Sequence, residues 1–251
     1  MENATPVLYR VCIVDYEVIL VYRYTKQHGD PMRFSPKEYT GVSFRSDTFI
    51  SKVYGLLSFT IVLSFIGSLY GMAHSNSIGA HPIIMVIALF IILFGVGLLS
   101  RISTMAGILG VCGFALFDGV FIGPVISHYL SSPKGSEVVS ESLIGTALMF
   151  ISLSSYALIS KRNFSHWRGF LIAGLLTSIV LSIVNIVFFH IPALQTSIAV
   201  IVILVFSGLI LVDTQRILNS ENGDAALIVL SLYLDVMNIF LALLEIFSSE
   251  E

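Results

Sequence analysis

The sequence predicts an all-α membrane protein of seven transmembrane helices, and three observations carry that expectation. Of 251 residues, 56% are hydrophobic and 12% are charged, about half the charge density that a water-facing surface needs. The apolar residues gather into segments of roughly 20 residues, the length that crosses a bilayer core. The connections between those segments are short, so no room is left for a separate soluble domain. The same composition excludes other classes. No basic face is available to meet phosphates, so nucleic acid is not an expected partner. Cys12 and Cys112 lie far apart and form no C-x-x-C pair, so neither a structural disulfide nor a thiolate metal site is indicated. No cofactor is expected.

Residues 1–45 read as a polar, irregular leader and residues 46–251 as the membrane domain. Within the leader the run Val11 to Tyr22 is too short to span a membrane and is interrupted by Asp15 and Glu17, so it is no standard signal peptide. Its β-branched residues suit a strand. Alternatively the natural start is Met32, and both readings stay open. The seven spans are expected at Ile50–Met72, Pro82–Leu99, Thr104–Leu130, Val139–Ser160, Trp167–His190, Ala193–Leu218 and Ala225–Phe247. Gly107, Gly110, Gly113 and Gly119 allow the third to approach a neighbour closely, and Pro124 should kink it.

Lysines and arginines near the segment ends set the orientation. Arg45, Lys52, Arg101, Lys161, Arg162, Arg168 and Arg216 collect on one side, against Lys134 on the other. The N-terminus is therefore expected in the cytoplasm, and seven crossings carry Glu250 and Glu251 to the far side. The first three helices and the next three then have opposite topology, which permits an inverted arrangement around a central seventh helix.

The last two segments each hold one carboxylate, Asp213 and Asp235, inside a run that otherwise reads as lipid-soluble. A charge at bilayer depth costs at least ~2.5–3.5 kcal/mol, so it usually has a partner and a task. On the seventh segment Ser231, Asp235, Asn238, Ala242 and Glu245 repeat at i, i+4, i+7, i+11 and i+14, one narrow stripe at helical periodicity. Such a stripe suits a helix enclosed by others. It lines a polar path or, alternatively, glues helices together. A short turn from Asn219 to Asp224 brings Asp213 near the level of Asp235. Two carboxylates about 4 Å apart repel by ~4 kcal/mol at an effective dielectric near 20, so the pair is expected to share one proton and act as a pH switch. The rival reading caps or pairs each separately.

Three further features stay open between two readings each. Arg101, ending the second segment, is either a positive-inside anchor or a counter-ion to the aspartates. Asp118, mid-way along the third, is a second acidic station on an ion path or a structural acid bonded to a neighbour. Ser178, Ser182 and Asn185 form a polar face on the fifth, read as packing glue. His128, His166 and His190 sit at segment ends without metal spacing.

Gly123 to Tyr129, Leu211-Val212-Asp213-Thr214-Gln215 and Ser231 to Phe240 resemble the transmembrane Bax-inhibitor-motif family, which includes bacterial inner-membrane members and the Bax inhibitor, Lifeguard and Golgi anti-apoptotic proteins. The resemblance covers about residues 45–250. It implies a seventh helix enclosed by the other six and a pH-dependent calcium leak towards the cytosol, with calcium as transported ion. The family's pH-sensing aspartates map onto Asp213 and Asp235, and its latch arginine onto Arg101. An acid matching Asp118 is present, as glutamate, in the Lifeguard-like branch. The acid that some relatives carry in the second helix is missing, since Ile83 to Leu99 hold no charge.

The expected role is thus a calcium leak pathway with a weak site at Asp213 and Asp235, and with Asp118, Asn238, Ser231 and Glu245 along the path. No enzymatic activity is expected. A non-conducting regulator that binds a membrane protease or cell-death component is the main alternative. An intramembrane aspartyl protease is remote, because no Gly-x-Gly precedes Asp235 and Pro192-Ala193-Leu194 comes before both aspartates. A bacterial inner membrane is the preferred location, with the endoplasmic reticulum or Golgi as alternative.

Overall fold

The computed structural model describes residues 37–79, 82–160, 162–219 and 225–249, with the backbone alone for 37–47, 82 and 219. The readings of a strand at Val11 to Tyr22 and a start at Met32 lie outside these residues. The described chain is helical, in the order α1 (Lys37–Ala73), α2 (Ser75–Gly79), α3 (Pro82–Ile102), α4 (Thr104–Leu130), α5 (Gly135–Ile159), α6 (Arg168–Val184), α7 (Pro192–Asn219) and α8 (Ala225–Ser248). A 3₁₀ turn at Ser165–Trp167 leads into α6 and a π-helical turn at Asn185–Phe189 extends it. Seven stretches are long and apolar enough to cross a membrane: Thr48–Ala73, Ile83–Ile102, Thr104–Leu130, Gly135–Ile159, Ser165–Phe189, Pro192–Leu218 and Ala225–Ser248. The protein is a multi-pass integral membrane protein. α1 begins at Lys37, ahead of the boundary expected near residue 45.

Local chemistry explains the breaks. Ser103 is extended and its hydroxyl accepts from the Ala106 amide at 3.1 Å, so one residue suffices to end α3 and cap α4. Between α6 and α7 the chain reverses at His190, whose φ is 53°, a left-handed conformation that histidine tolerates better than most. Asn185 holds this reversal: its Oδ1 accepts from the Ile191 amide at 3.1 Å, and its Nδ2 donates to the Ile191 carbonyl at 3.1 Å and to Gln195 at 3.3 Å. The polar face of α6 thus acts as glue at this position.

Glycines set the α1–α4 contact. A Cβ at Gly123 would come within 2.6 Å of Gly71 Cα, and one at Gly71 within 3.0 Å of the Val120 carbonyl carbon, so the two backbones touch. α8 is the most buried crossing, with 67% of an 18-residue stretch buried against 33% or less for the others. Val53 and Leu57 of α1, Val96 of α3 and Val111 and Phe114 of α4 form one core with Leu232 and Tyr233 of α8. Phe206 and Ile210 of α7 pack on Ile239 and Leu243 from the other side, with Leu175 of α6 at the flank. The outside is apolar: Phe94 is 74% exposed and Ile102 77%. That surface would drive aggregation in water and suits acyl chains.

Candidate functional site

Charge inside the bundle concentrates on α4, α7 and α8. Asp118 is 8% exposed, Asp213 3% and Asp235 4%. Asp235 lies on the buried helix, and the Asp213 carboxylate across the α7–α8 contact is close enough to bear on it electrostatically. Asp235 Oδ2 has no hydrogen-bond partner. The structure therefore brings together the two aspartates that the sequence paired. Asparagine at 235 keeps the shape and removes the ionisable group that faces Asp213, so Asp235→Asn should stabilise the fold by about 1–3 kcal/mol at pH values where both aspartates would otherwise be ionised. Thermal unfolding in detergent reads this directly, and an unchanged or lower midpoint would contradict it.

Arg101 is not at the pair. It is exposed in the last turn of α3, beside a surface cleft shared with Phe94, Ser100 and Leu227. Among the described residues no ion pair joins Arg101 to Asp213 or Asp235. The arrangement has the aspartates together and the arginine at the rim.

The remaining stripe of α8 divides into separate contacts. Asn238 turns back on its own helix, its Nδ2 donating to the Leu234 carbonyl at 2.7 Å. Glu245 accepts from the Tyr129 hydroxyl of α4 at 3.2 Å. Ser231 is half-buried at the opposite end. These positions share a face but form no continuous chain of hydrogen bonds.

Asp118 belongs to a cluster that the sequence did not reveal. The Tyr233 hydroxyl donates to Asp118 Oδ2 at 2.7 Å and lies 2.9 Å from Ser64 Oγ, so one phenol ties α1, α4 and α8 together. The Tyr233 ring meets Phe114 edge-on at 6.1 Å. Of the two readings of Asp118, this geometry supplies the bonded neighbour. The available signal was a tyrosine in mid-helix, away from the interfacial depth where tyrosine usually sits. Thr60, Ser64 and Ser68 are also all buried on α1, an i, i+4, i+8 repeat that marks its inward face. Gln215, likewise missed, is 8% exposed and ties α7 to the loop before α6, accepting from the Phe164 amide at 2.7 Å.

Among the described residues no group of three or more His, Cys, Asp or Glu could hold a metal ion. A cation at the aspartates would have two carboxylates and otherwise neutral oxygens, a low-affinity set for a hard divalent ion.

A polytopic helical bundle with a buried carboxylate pair on its last two crossings is the class that fold and site define. The chain belongs to the family described as Inhibitor of apoptosis-promoting Bax1, whose sequence model matches residues 46–251. It is 35% identical over 202 residues to a membrane protein of Vibrio cholerae, covering 78% of this chain and 87% of the relative. It is 31% identical over 199 residues to the modulator of FtsH protease YccA of Escherichia coli, with 78% and 88% covered. Mouse protein lifeguard 4 is 27% identical over 209 residues, with 78% and 83% covered.

Proposed function

We propose that the protein is a pH-sensitive calcium leak pathway, with Asp213 and Asp235 as proton sensor and weak cation site. The observation that supports it most is a buried carboxylate pair, Asp213 on α7 and Asp235 on α8, with one Asp235 oxygen unpartnered. Such a pair has two favourable states. Either one proton is shared, or both groups are ionised and a divalent cation offsets their repulsion. Two carboxylates and water bind calcium weakly, as conduction requires, because the ion must also leave. Protonation removes the negative charge that attracts calcium, so occupancy falls as pH is lowered through the range where the pair takes up its proton. Arg101, exposed at the rim, would act as latch by swinging in towards the pair. No enzymatic step is needed, and a bacterial inner membrane remains the preferred location.

The test is calcium flux against pH with the purified protein in liposomes. Flux should fall towards acidic pH, and Asp213→Asn or Asp235→Asn should flatten the dependence. Equal flux in wild type and both variants at every pH would refute the reading.

The second reading is a regulator of a membrane protease, and the printed name of the Escherichia coli relative favours it. Co-purification of a stoichiometric membrane protease together with zero flux would select it over conduction.

A further inference from the structure

A second feature lies on the opposite side of α7 from Asp213. Phe164, Trp167 and Phe170 face Leu204, Ser207 and Leu211 across a cleft of about 430 Å³ between α6 and α7. Its lining is almost wholly apolar, and it opens on the exposed face of two membrane-crossing helices. Acyl chains are therefore what meets it.

The loop that leads to this cleft is fixed and basic. Gln215 accepts from the Phe164 amide at 2.7 Å and donates through Nε2 to the Arg162 carbonyl, so the loop carrying Arg162 is held against α7. Arg168 opens α6 next to Trp167, and Arg162, His166 and Arg168 are all exposed. The sequence has no aspartate or glutamate between Glu141 and Asp213. Trp167 is 61% exposed at the same end, where a tryptophan marks headgroup depth. Apolar cleft, interfacial indole and two exposed arginines thus meet within one short stretch of chain.

We propose that this cleft binds one acyl chain of an anionic phospholipid, with the lipid phosphate met by Arg162 and Arg168. Guanidinium groups suit that phosphate through paired N–H donors, and juxtamembrane arginines attract anionic headgroups. The ligand is a single lipid of the leaflet at the basic end of the bundle. The assignment is independent of calcium conduction.

Trp167 is the only tryptophan in the sequence, which supplies the readout. The full chain is reconstituted in phosphatidylcholine vesicles containing a few mole percent of dibrominated phosphatidylglycerol or, separately, dibrominated phosphatidylcholine. Bromine on the acyl chain quenches indole fluorescence at short range. The brominated phosphatidylglycerol should reach half-maximal quenching at a roughly ten-fold lower mole fraction. Arg162→Gln with Arg168→Gln should erase that preference, and Ser207→Phe, which fills the cleft, should remove the excess quenching. Equal quenching by the two lipids in the wild type overturns the proposal without any variant. So does a preference that survives the double glutamine variant or the filled cleft.

Discussion

Gly119→Ala should destabilise the protein by more than ~2 kcal/mol, while Gly113→Ala, six residues earlier on the same helix, should be neutral or slightly stabilising. A Cβ at 119 would fall inside the contact distance of the Ser64 carbonyl oxygen, whereas one at 113 meets nothing within 4 Å. The obstructing atom at 119 is backbone, so no rotamer change relieves it and α1 must move away from α4. The effect is net of the helix-propensity gain of about 1 kcal/mol that alanine brings over glycine. It also reaches the interior, because Ser64 is the residue whose hydroxyl faces Tyr233. Thermal unfolding midpoints of the two variants in the same detergent decide the matter. Coincident midpoints for wild type and Gly119→Ala would mean that the α1–α4 backbones are not in contact.

The seven crossings were legible because a bilayer imposes one strong rule, about 20 apolar residues per helix. That rule fixes neither how a helix ends nor what it touches. The π-helical turn after Val184 depends on Asn185 reaching across to Ile191, a contact that no periodicity announces. Asp213, Asp235 and Asp118 stood out as charges in hydrocarbon, and all three prove buried. Tyr233 did not, because a phenol inside an apolar run reads as one more large hydrophobe. Serines are equally silent: Ser58 satisfies itself on the Tyr54 carbonyl at 2.9 Å, whereas Ser64 reaches another helix. The position of Arg101 at a helix end could be read, but its distance from the aspartates could not. That distance depends on how α3 is placed against α8, which the sequence of neither helix encodes alone.

Tyr233→Phe should cost about 1.5–3 kcal/mol, the range for a buried hydrogen bond to a charged group. The substitution keeps the ring and its edge-on contact with Phe114, so the loss reports the hydroxyl alone. It leaves the Asp118 carboxylate, 8% exposed, without its donor. Asp118→Leu should cost less, because the phenol retains Ser64 as a partner and a buried charge is removed. In the double variant both halves of the bond are gone and no buried carboxylate is stranded, the Ser64 hydroxyl losing Tyr233 just as it does in Tyr233→Phe alone, so its loss should fall short of the sum by about 1–3 kcal/mol. Additive losses would show that the bond contributes nothing. Tyr54→Phe is the control, since the Tyr54 hydroxyl is buried without a partner and its removal should leave stability equal or improved. Tyr233 also precedes Asp235 by two residues on α8, so the bond to Asp118 fixes the rotation of the helix that carries Asp235. Tyr233→Phe should therefore shift the pH dependence of the proposed calcium flux, while Tyr54→Phe leaves it in place. A Tyr233→Phe protein that is less stable but has an unshifted profile would separate the clasp from the switch.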